Sequence, residues 1–288
     1  MPNTGVRVID AVVNPYTPEF AALRPAWSKE FLSGKVGVNR ESLDGIPEDD
    51  FLKKLDRAGV ERALLIAAKA GSKQHAIHYQ IPYKKVAALV ERHPDRFSAI
   101  AGIDPTEGMR GVRELEKAVK EDGFIGAHLY PHWFEMAPDH ARYYPFYAKC
   151  VELDIPIQIQ VGQCLRYSDD RPLRSVGRPI TLDTVACDFP DLKLVGIHIG
   201  WPWTEEMISV AYKHPNVYIG SDAYAPKNWP KAFVHFINSW GQDKVIFGTD
   251  FPVIDIERAI AEVDELGLRP EPKRKFLRDN AARLYRLE

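Results

Sequence analysis

Short apolar runs that end on a polar or turn-forming residue recur along the chain, and segments of helical period separate them. Eight such runs, over residues 6–15, 60–68, 97–105, 123–131, 155–162, 192–200, 216–222 and 244–250, suit strands buried on both faces, as in a parallel sheet. Phe51, Leu52, Leu55 and Ala58 keep helical spacing and predict a helix over 48–59 that Gly59 ends. Val112, Leu115, Ala118 and Val119 do the same for 109–121. Further helices are predicted over 75–93 after an irregular start, 147–153, around 182–187, within 201–214, and over 230–240, 254–266 and 273–287. Residues 16–47 show no clear period, with Pro18, Pro25, Gly34, Gly37 and Pro47 scattered through them. They read as a long excursion over one end of the sheet, with Trp27 and Phe31 packed down.

Strands alternating with helices imply a parallel sheet, and eight such units imply a closed barrel. An open doubly wound sheet carries a glycine-rich phosphate turn after its first strand, and Asn14-Pro15-Tyr16 is not one. The expected fold is therefore α/β: a (β/α)8 TIM barrel forming a single domain over residues 1–288, with a long loop after strand 1 and aromatic-rich βα loops.

In such a barrel the chemistry sits at the C-terminal ends of the strands. Asn14, His128 or Tyr130, Gln160, His198, Asp222 and Asp250 all stand there. Each has a local alternative. Asn14 suits a turn, His128 a satisfied core histidine, and Asp222 or Asp250 the cap of a following helix. A buried polar group without a partner costs about 1–3 kcal/mol, so six of them converging by accident of packing is hard to explain. His198 and Asp250 suit a general acid/base couple in which the carboxylate orients the imidazole, or two ligands of a divalent metal. Asn14, Tyr130 and Gln160 are expected to bind substrate oxygens, with His128, Trp201 and Asp222 completing the substrate-binding set. Trp133, Phe134, Tyr143, Tyr144, Trp201, Trp203, Tyr224 and Trp229 crowd the expected loops. They either receive a flat or cyclic substrate or pack the loops themselves.

Composition removes other classes. With 288 residues, 45% of them hydrophobic, the chain can bury one large core; its formal net charge of −2 leaves no basic footprint for nucleic acid or an anionic membrane surface. No apolar run approaches the roughly 20 residues that span a bilayer, and Met1 to Arg7 lacks the pattern of a signal peptide. Cys150, Cys164 and Cys187 are odd in number and lack metal-type pairing, which points to a cytoplasmic protein without disulfides. They have no nucleophile-type constellation, Ser221-Asp222 is not in a nucleophile elbow, and the His75/His78 pair reads as solvated. Arg166, Arg171, Arg174 and Arg178, after the fifth strand, are either carboxylate anchors or solvated.

An ordered set of fragments carries a resemblance from about Val8 to Tyr285. The set comprises Ile9-Asp10-Ala11, Ala58-Gly59-Val60-Glu61-Arg62, Gly102-Ile103-Asp104-Pro105, Gly123-Phe124-Ile125-Gly126, Ile155-Pro156-Ile157, residues 192–200, Pro215-Asn216-Val217-Tyr218 and Phe247-Gly248-Thr249-Asp250-Phe251-Pro252. It resembles the amidohydrolase-related family, the amidohydrolase 2 group that includes aminocarboxymuconate semialdehyde decarboxylase. The resemblance implies a hydrolase acting on a small carbonyl- or carboxylate-containing substrate, or a decarboxylase of an aromatic or muconate-like acid. A ligand-binding member with a decayed site is the non-enzymatic alternative. It also implies one divalent metal, zinc or manganese, and frequent homodimers. The family's His-x-His pair falls on Val12 and Asn14 and its strand-five His on Gln160, while Asp250 and the strand-six His198 match. Valine is no ligand and amides are weak ones, so Asp250 and His198 remain as candidate metal ligands beside a metal-free site.

Overall fold

The computed structural model describes residues 6–38, 42–72, 78–169 and 172–287. Eight parallel strands make one sheet in sequential order: β1 (Val8–Val13), β2 (Val60–Ala67), β3 (Phe97–Gly102), β4 (Gly126–Leu129), β5 (Ile157–Gln160), β6 (Leu194–Ile197), β7 (Val217–Gly220) and β8 (Val245–Ile246). All their residues but Glu61 and Arg62 on β2 and Tyr218 on β7 are buried, as expected for strands covered on both faces. The expected strands are thus all present, trimmed at their ends.

The sheet closes on itself through the backbone beyond β8. The Ala11 N–H donates to Phe247 O at 2.9 Å, the Asp250 N–H to Val12 O at 2.8 Å, and the Asn14 N–H to Phe251 O at 3.0 Å. Asp10 reinforces this seam. Its fully buried carboxylate accepts from the Thr249 N–H at 3.0 Å and from the Thr249 hydroxyl at 2.6 Å. Two donors on one carboxylate fasten β1 to the backbone beyond β8.

Helices cover the barrel where the periodicity placed them. Glu48–Ala58 ends at Gly59, whose φ of 73° is the left-handed conformation a glycine cap supplies. Met109–Glu121 buries Val112, Leu115 and Ala118. Two segments differ from expectation. Residues 16–47 hold helices at Pro18–Ala21 and Ala26–Phe31 and a π-helical turn at Leu32–Val36, with proline at the helix start in the first. Trp27 does pack down, its ring 4.9 Å from Trp133, and Phe31 lies 4.5 Å from Tyr167. The helix expected over 75–93 begins only at Tyr83, because Pro82 biases its predecessor to extended backbone. Ahead of it, Lys69–Ala70 pairs antiparallel with Tyr79–Gln80, a small hairpin no period announced; His75 lies outside the described residues. Cys150, Cys164 and Cys187 are free thiols. Among the described residues no helix is long and apolar enough to cross a membrane.

Candidate active site

The ends of β6, β7 and β8 carry unusual backbone. His198 (φ 68°), Ile199 (φ 47°), Ala223 (φ 67°) and Asp250 (φ 55°) all adopt the left-handed region that side chains disfavour. Each such residue costs on the order of 1–3 kcal/mol, and such strain gathers where a side chain must be aimed. Here it turns His198 and Asp250 into a cavity of about 350 Å³ at the barrel mouth, within the size of a small-molecule site. Asn14, Gln160, His198 and Asp250 form its floor; Tyr130, Trp133, Tyr167 and Tyr224 wall it; Arg24, Trp27 and Phe31 come over from the excursion after β1. A hollow of about 820 Å³ lies elsewhere, beside the 69–80 hairpin, where Lys69 is held by Glu107 and Glu114 at 2.7 Å each.

On the floor, His198 is the hub. Its Nδ1 lies 3.2 Å from the Gln160 side-chain nitrogen. Its Nε2 lies 3.2 Å from Asp222 Oδ2 and 3.9 Å from Asp250 Oδ2. With that Gln160 nitrogen donating to Nδ1, the proton of the neutral ring sits on Nε2, facing both acids. The His198 backbone N–H donates to Asp222 Oδ1 at 3.2 Å, while Asp222 Oδ2 has no aligned hydrogen-bond donor. Asp250 is aimed by Asn14, whose amide donates to Oδ1 at 2.8 Å and to the Phe251 carbonyl at 3.1 Å. Asp250 keeps 19% of its side chain exposed and His198 12%, whereas Asp222 keeps none. The first two are therefore reachable from the cavity and Asp222 stands behind them.

Burial sets the protonation. It drives His198 down to about 3, helped by the neighbouring His128 and His132, so the imidazole is neutral. It lifts Asp250 to about 7 against the opposing pull of the Asn14 hydrogen bond and the Arg24 charge. Asp222 is raised well above the ordinary carboxyl range by burial and by the charge of Asp250. The floor is thus a set of proton donors around neutral pH: a carboxyl near its midpoint, a neutral imidazole with Nε2–H, and a buried acid behind.

Three of the expected binding residues lie elsewhere. His128 is fully buried below the cavity, its Nδ1 2.9 Å from Gln158 Oε1 and its ring 4.3 Å from Tyr130. Standing two residues earlier on the same strand face, it is one layer deeper in the barrel, and Tyr130 takes the mouth position. Trp201 is 36% exposed and stacks on Tyr224 at 5.4 Å, outside the cavity wall. Asp222 reaches the cavity only through His198. The arginines after β5 face away and are paired: Arg166 with Asp169, Arg174 with Glu135, Arg178 with Glu206. Arg171 lies outside the described residues. Sequence reasoning missed Arg24, Tyr79 and Tyr167, all of which line the cavity. Arg24 sits in a segment without a period, and Tyr79 in the irregular start of the helix expected over 75–93; the only available signal was that a cation and aromatics stood there.

The amidohydrolase family model, Amidohydro_2, matches residues 44–287. The chain belongs to the amidohydrolase family. Among its relatives in this family, 2-keto-4-carboxy-3-hexenedioate hydratase of Sphingobium sp. is 31% identical over 160 residues, covering 48% of this chain and 46% of that protein. The match thus spans less than half the length of the hydratase. Gamma-resorcylate decarboxylase of Polaromonas sp. is 23% identical over 246 residues, covering 70% of this chain and 74% of the relative. In structure the amidohydrolase chain resembles an uncharacterized TIM-barrel protein of Bordetella bronchiseptica, with a TM-score of 0.83 and 25% identity over 98% of this chain and 99% of that one. It also shares its fold with 5-carboxyvanillate decarboxylase of Novosphingobium aromaticivorans, with a TM-score of 0.74 and 17% identity over 100% and 98% of the two chains. That decarboxylase structure holds manganese and 4-hydroxy-3-methoxy-5-nitrobenzoic acid.

The residues present do not fit the imidazole-rich metal centre that the family resemblance implies. Val12 is buried apolar, packed where a Cβ on Gly248 would meet it at 3.0 Å. The Asn14 amide nitrogen is spent on Asp250 and Phe251, and Gln160 supplies an amide where an imidazole would stand. Among the described residues, three metal-type ligand atoms come within 4.8 Å of one another at Asp183, Cys187 and His214, and not at His198, Asp222 and Asp250. The Asp183 carboxylate there already pairs with Lys213 and with His214.

Proposed function

We propose that this amidohydrolase-family enzyme is a lyase that delivers a proton to a substrate carbon, with decarboxylation of an aromatic or muconate-like acid as its reaction. The observation that carries this reading is Asp250, a reachable carboxyl held near neutrality, aimed by Asn14 and set 3.9 Å from a neutral imidazole. Hydrolysis, the reading favoured by the breadth of the family, asks for a base that activates water. An imidazole driven down to about 3 is a poor base, and a half-protonated carboxyl is a better donor.

In the proposed reaction a hydroxylated ring or enolic acid lies between the tyrosine walls with its carboxyl-bearing carbon over Asp250. Asp250 gives its proton to that carbon. The bond to the carboxylate then breaks, its electron pair restores the conjugated system, and carbon dioxide leaves. Asp250 regains a proton from solvent. His198 Nε2–H donates to a substrate oxygen, and Asp222 behind it holds the His198 backbone through Oδ1. Gln160 fixes the other side of the ring. Decarboxylase relatives support this reading at the level of reaction class.

The 31% identical hydratase favours a second reading, hydration of a double bond in a keto acid, in which the same donors protonate carbon while water adds to its neighbour. Both readings are tested by incubating the enzyme in D2O with hydroxybenzoates, hydroxylated benzenedicarboxylates and unsaturated keto diacids, followed by NMR and carbon dioxide detection. Decarboxylation gives carbon dioxide and one deuteron at the vacated carbon. A hydrated keto acid without carbon dioxide selects the second reading, and cleavage of an ester, amide or lactone alone overturns both.

A further inference from the structure

The floor of the cavity is rich in acids, yet the side facing it is lined with donors that have nothing to donate to. Arg24 has Nε and Nη2 buried with no hydrogen-bond partner, the Tyr79 hydroxyl is buried and unpartnered in a side chain only 6% exposed, and the Trp27 indole N–H is in the same condition. All three residues line the one cavity. Arg24 is held in place from other directions. Its Nη1 donates to Ser28 Oγ at 3.2 Å, and its guanidinium lies 5.1 Å from the centre of the Tyr79 ring and 5.3 Å from that of Tyr16. Among the described residues no carboxylate pairs with it, in contrast to Arg166, Arg174 and Arg178 on the surface. A buried cationic fork left unpaired is costly, and its natural complement is a planar anion that takes two parallel hydrogen bonds.

We infer that Arg24, Tyr79 and Trp27 form an anchoring subsite for a second, non-reacting carboxylate, so that the substrate is a flat dicarboxylic acid and not a monoacid. The fork of Arg24 receives the carboxylate, the Tyr79 hydroxyl and the Trp27 N–H complete its shell, and the other end of the molecule is left against Asp250 and His198. This rests on the carboxy-lyase reading only for the fate of the reacting end. The anchor itself is defined by binding.

Isothermal titration calorimetry with benzoate and the three benzenedicarboxylates, on the full chain without turnover, tests this. The best diacid is expected to bind the wild type at least about tenfold more tightly than benzoate. Arg24→Met is expected to bring the two within about twofold, and Tyr79→Phe to remove part of the preference while keeping the ring under the guanidinium. Lys35→Met, which removes an exposed charge at the cavity rim, is expected to leave the preference in place and so separates a fork from general attraction. A wild type that does not prefer a diacid overturns the inference, as does an Arg24→Met protein of unchanged circular dichroism that keeps the preference. Should Arg24→Met not fold, an unchanged preference in Tyr79→Phe and Arg24→Lys overturns it equally. Asp250→Asn, which disables the proposed chemistry, should bind diacids with the preference intact. Failure of decarboxylation and failure of the anchor therefore give different results.

Discussion

The two sides of the cavity are built on opposite plans. The floor is made by strand ends, carries acids, and ties its side chains to one another: Asn14 to Asp250, Gln160 to His198, and the His198 backbone to Asp222, with Asp222 Oδ2 and Gln160 Oε1 left unpartnered. The covering side is made by the excursion after β1 and by the 69–80 hairpin, and it leaves the Arg24, Tyr79 and Trp27 donors unpaired. A rigid scaffold aims a few groups whose protonation burial controls, while a less regular cover supplies the complement to whatever enters. On the proposed reading, proton transfer and substrate choice are separated, and each can be disturbed without the other.

The largest expected break is on the floor. Asp250→Asn removes the proposed proton donor while keeping the hydrogen bond to Asn14, and is expected to lower kcat by about 10²–10⁴ with diacid affinity nearly unchanged. Initial rates and calorimetry on the same preparation check both halves. In the wild type kcat/KM should fall as pH rises through about 7, where Asp250 loses its proton, and a profile flat from pH 6 to 9 would contradict that assignment.

Asp222 should show more in stability than in binding. Its pKa is raised in the folded chain, so its stabilising contribution is complete below the ordinary carboxyl value and is lost as pH rises toward the folded one. Stability of the wild type to denaturant should therefore fall as pH rises above the ordinary carboxyl value of about 4, and Asp222→Asn should flatten that slope. An unaltered slope would mean that the buried acid is not protonated in the fold.

The smallest effects lie outside the cavity. Arg174→Ala and Arg178→Ala remove exposed ion pairs with Glu135 and Glu206, and each should leave denaturant stability nearly unchanged and the diacid preference unaltered in calorimetry. Dialysis against a chelator is expected to leave turnover unchanged and to yield protein with substoichiometric metal by elemental analysis, because Val12, Asn14 and Gln160 hold the positions of imidazole ligands. A rate abolished by the chelator and restored by manganese would show that His198 and Asp250 recruit other donors.

The floor was legible in the sequence and the cover was not, for one physical reason. Strand period fixes which residues share a face, so Asn14, Gln160, His198 and Asp250 could be placed at the mouth from spacing alone. The same rule does not give depth: His128 and Tyr130 share a face, and only the strand's position in the barrel shows that Tyr130 is at the mouth and His128 beneath it. Trp201 follows the left-handed turn at His198 and Ile199, whose φ values reverse the direction that strand alternation would give. Arg24 lies between two helices of four and six residues, too short for a period to reveal which side chains turn inward. The hairpin that brings Tyr79 over the cavity is held by two residues on each side, below what alternation can signal.

The stitch between Asp10 and Thr249 joins residues 239 positions apart, and Asp250 is the next residue along. The proposed proton donor is therefore fastened to the opposite end of the polypeptide. On the ribosome, a chain that has completed six or seven of its strands still has no acid in place, since the group that will act is made last and is positioned by what was made first. Activity is in this sense a report that the ring has shut. A circular permutant opened between β3 and β4 keeps that junction inside one continuous stretch, whereas one opened between Thr249 and Phe251 would sever the aiming of the acid from the strand that aims it.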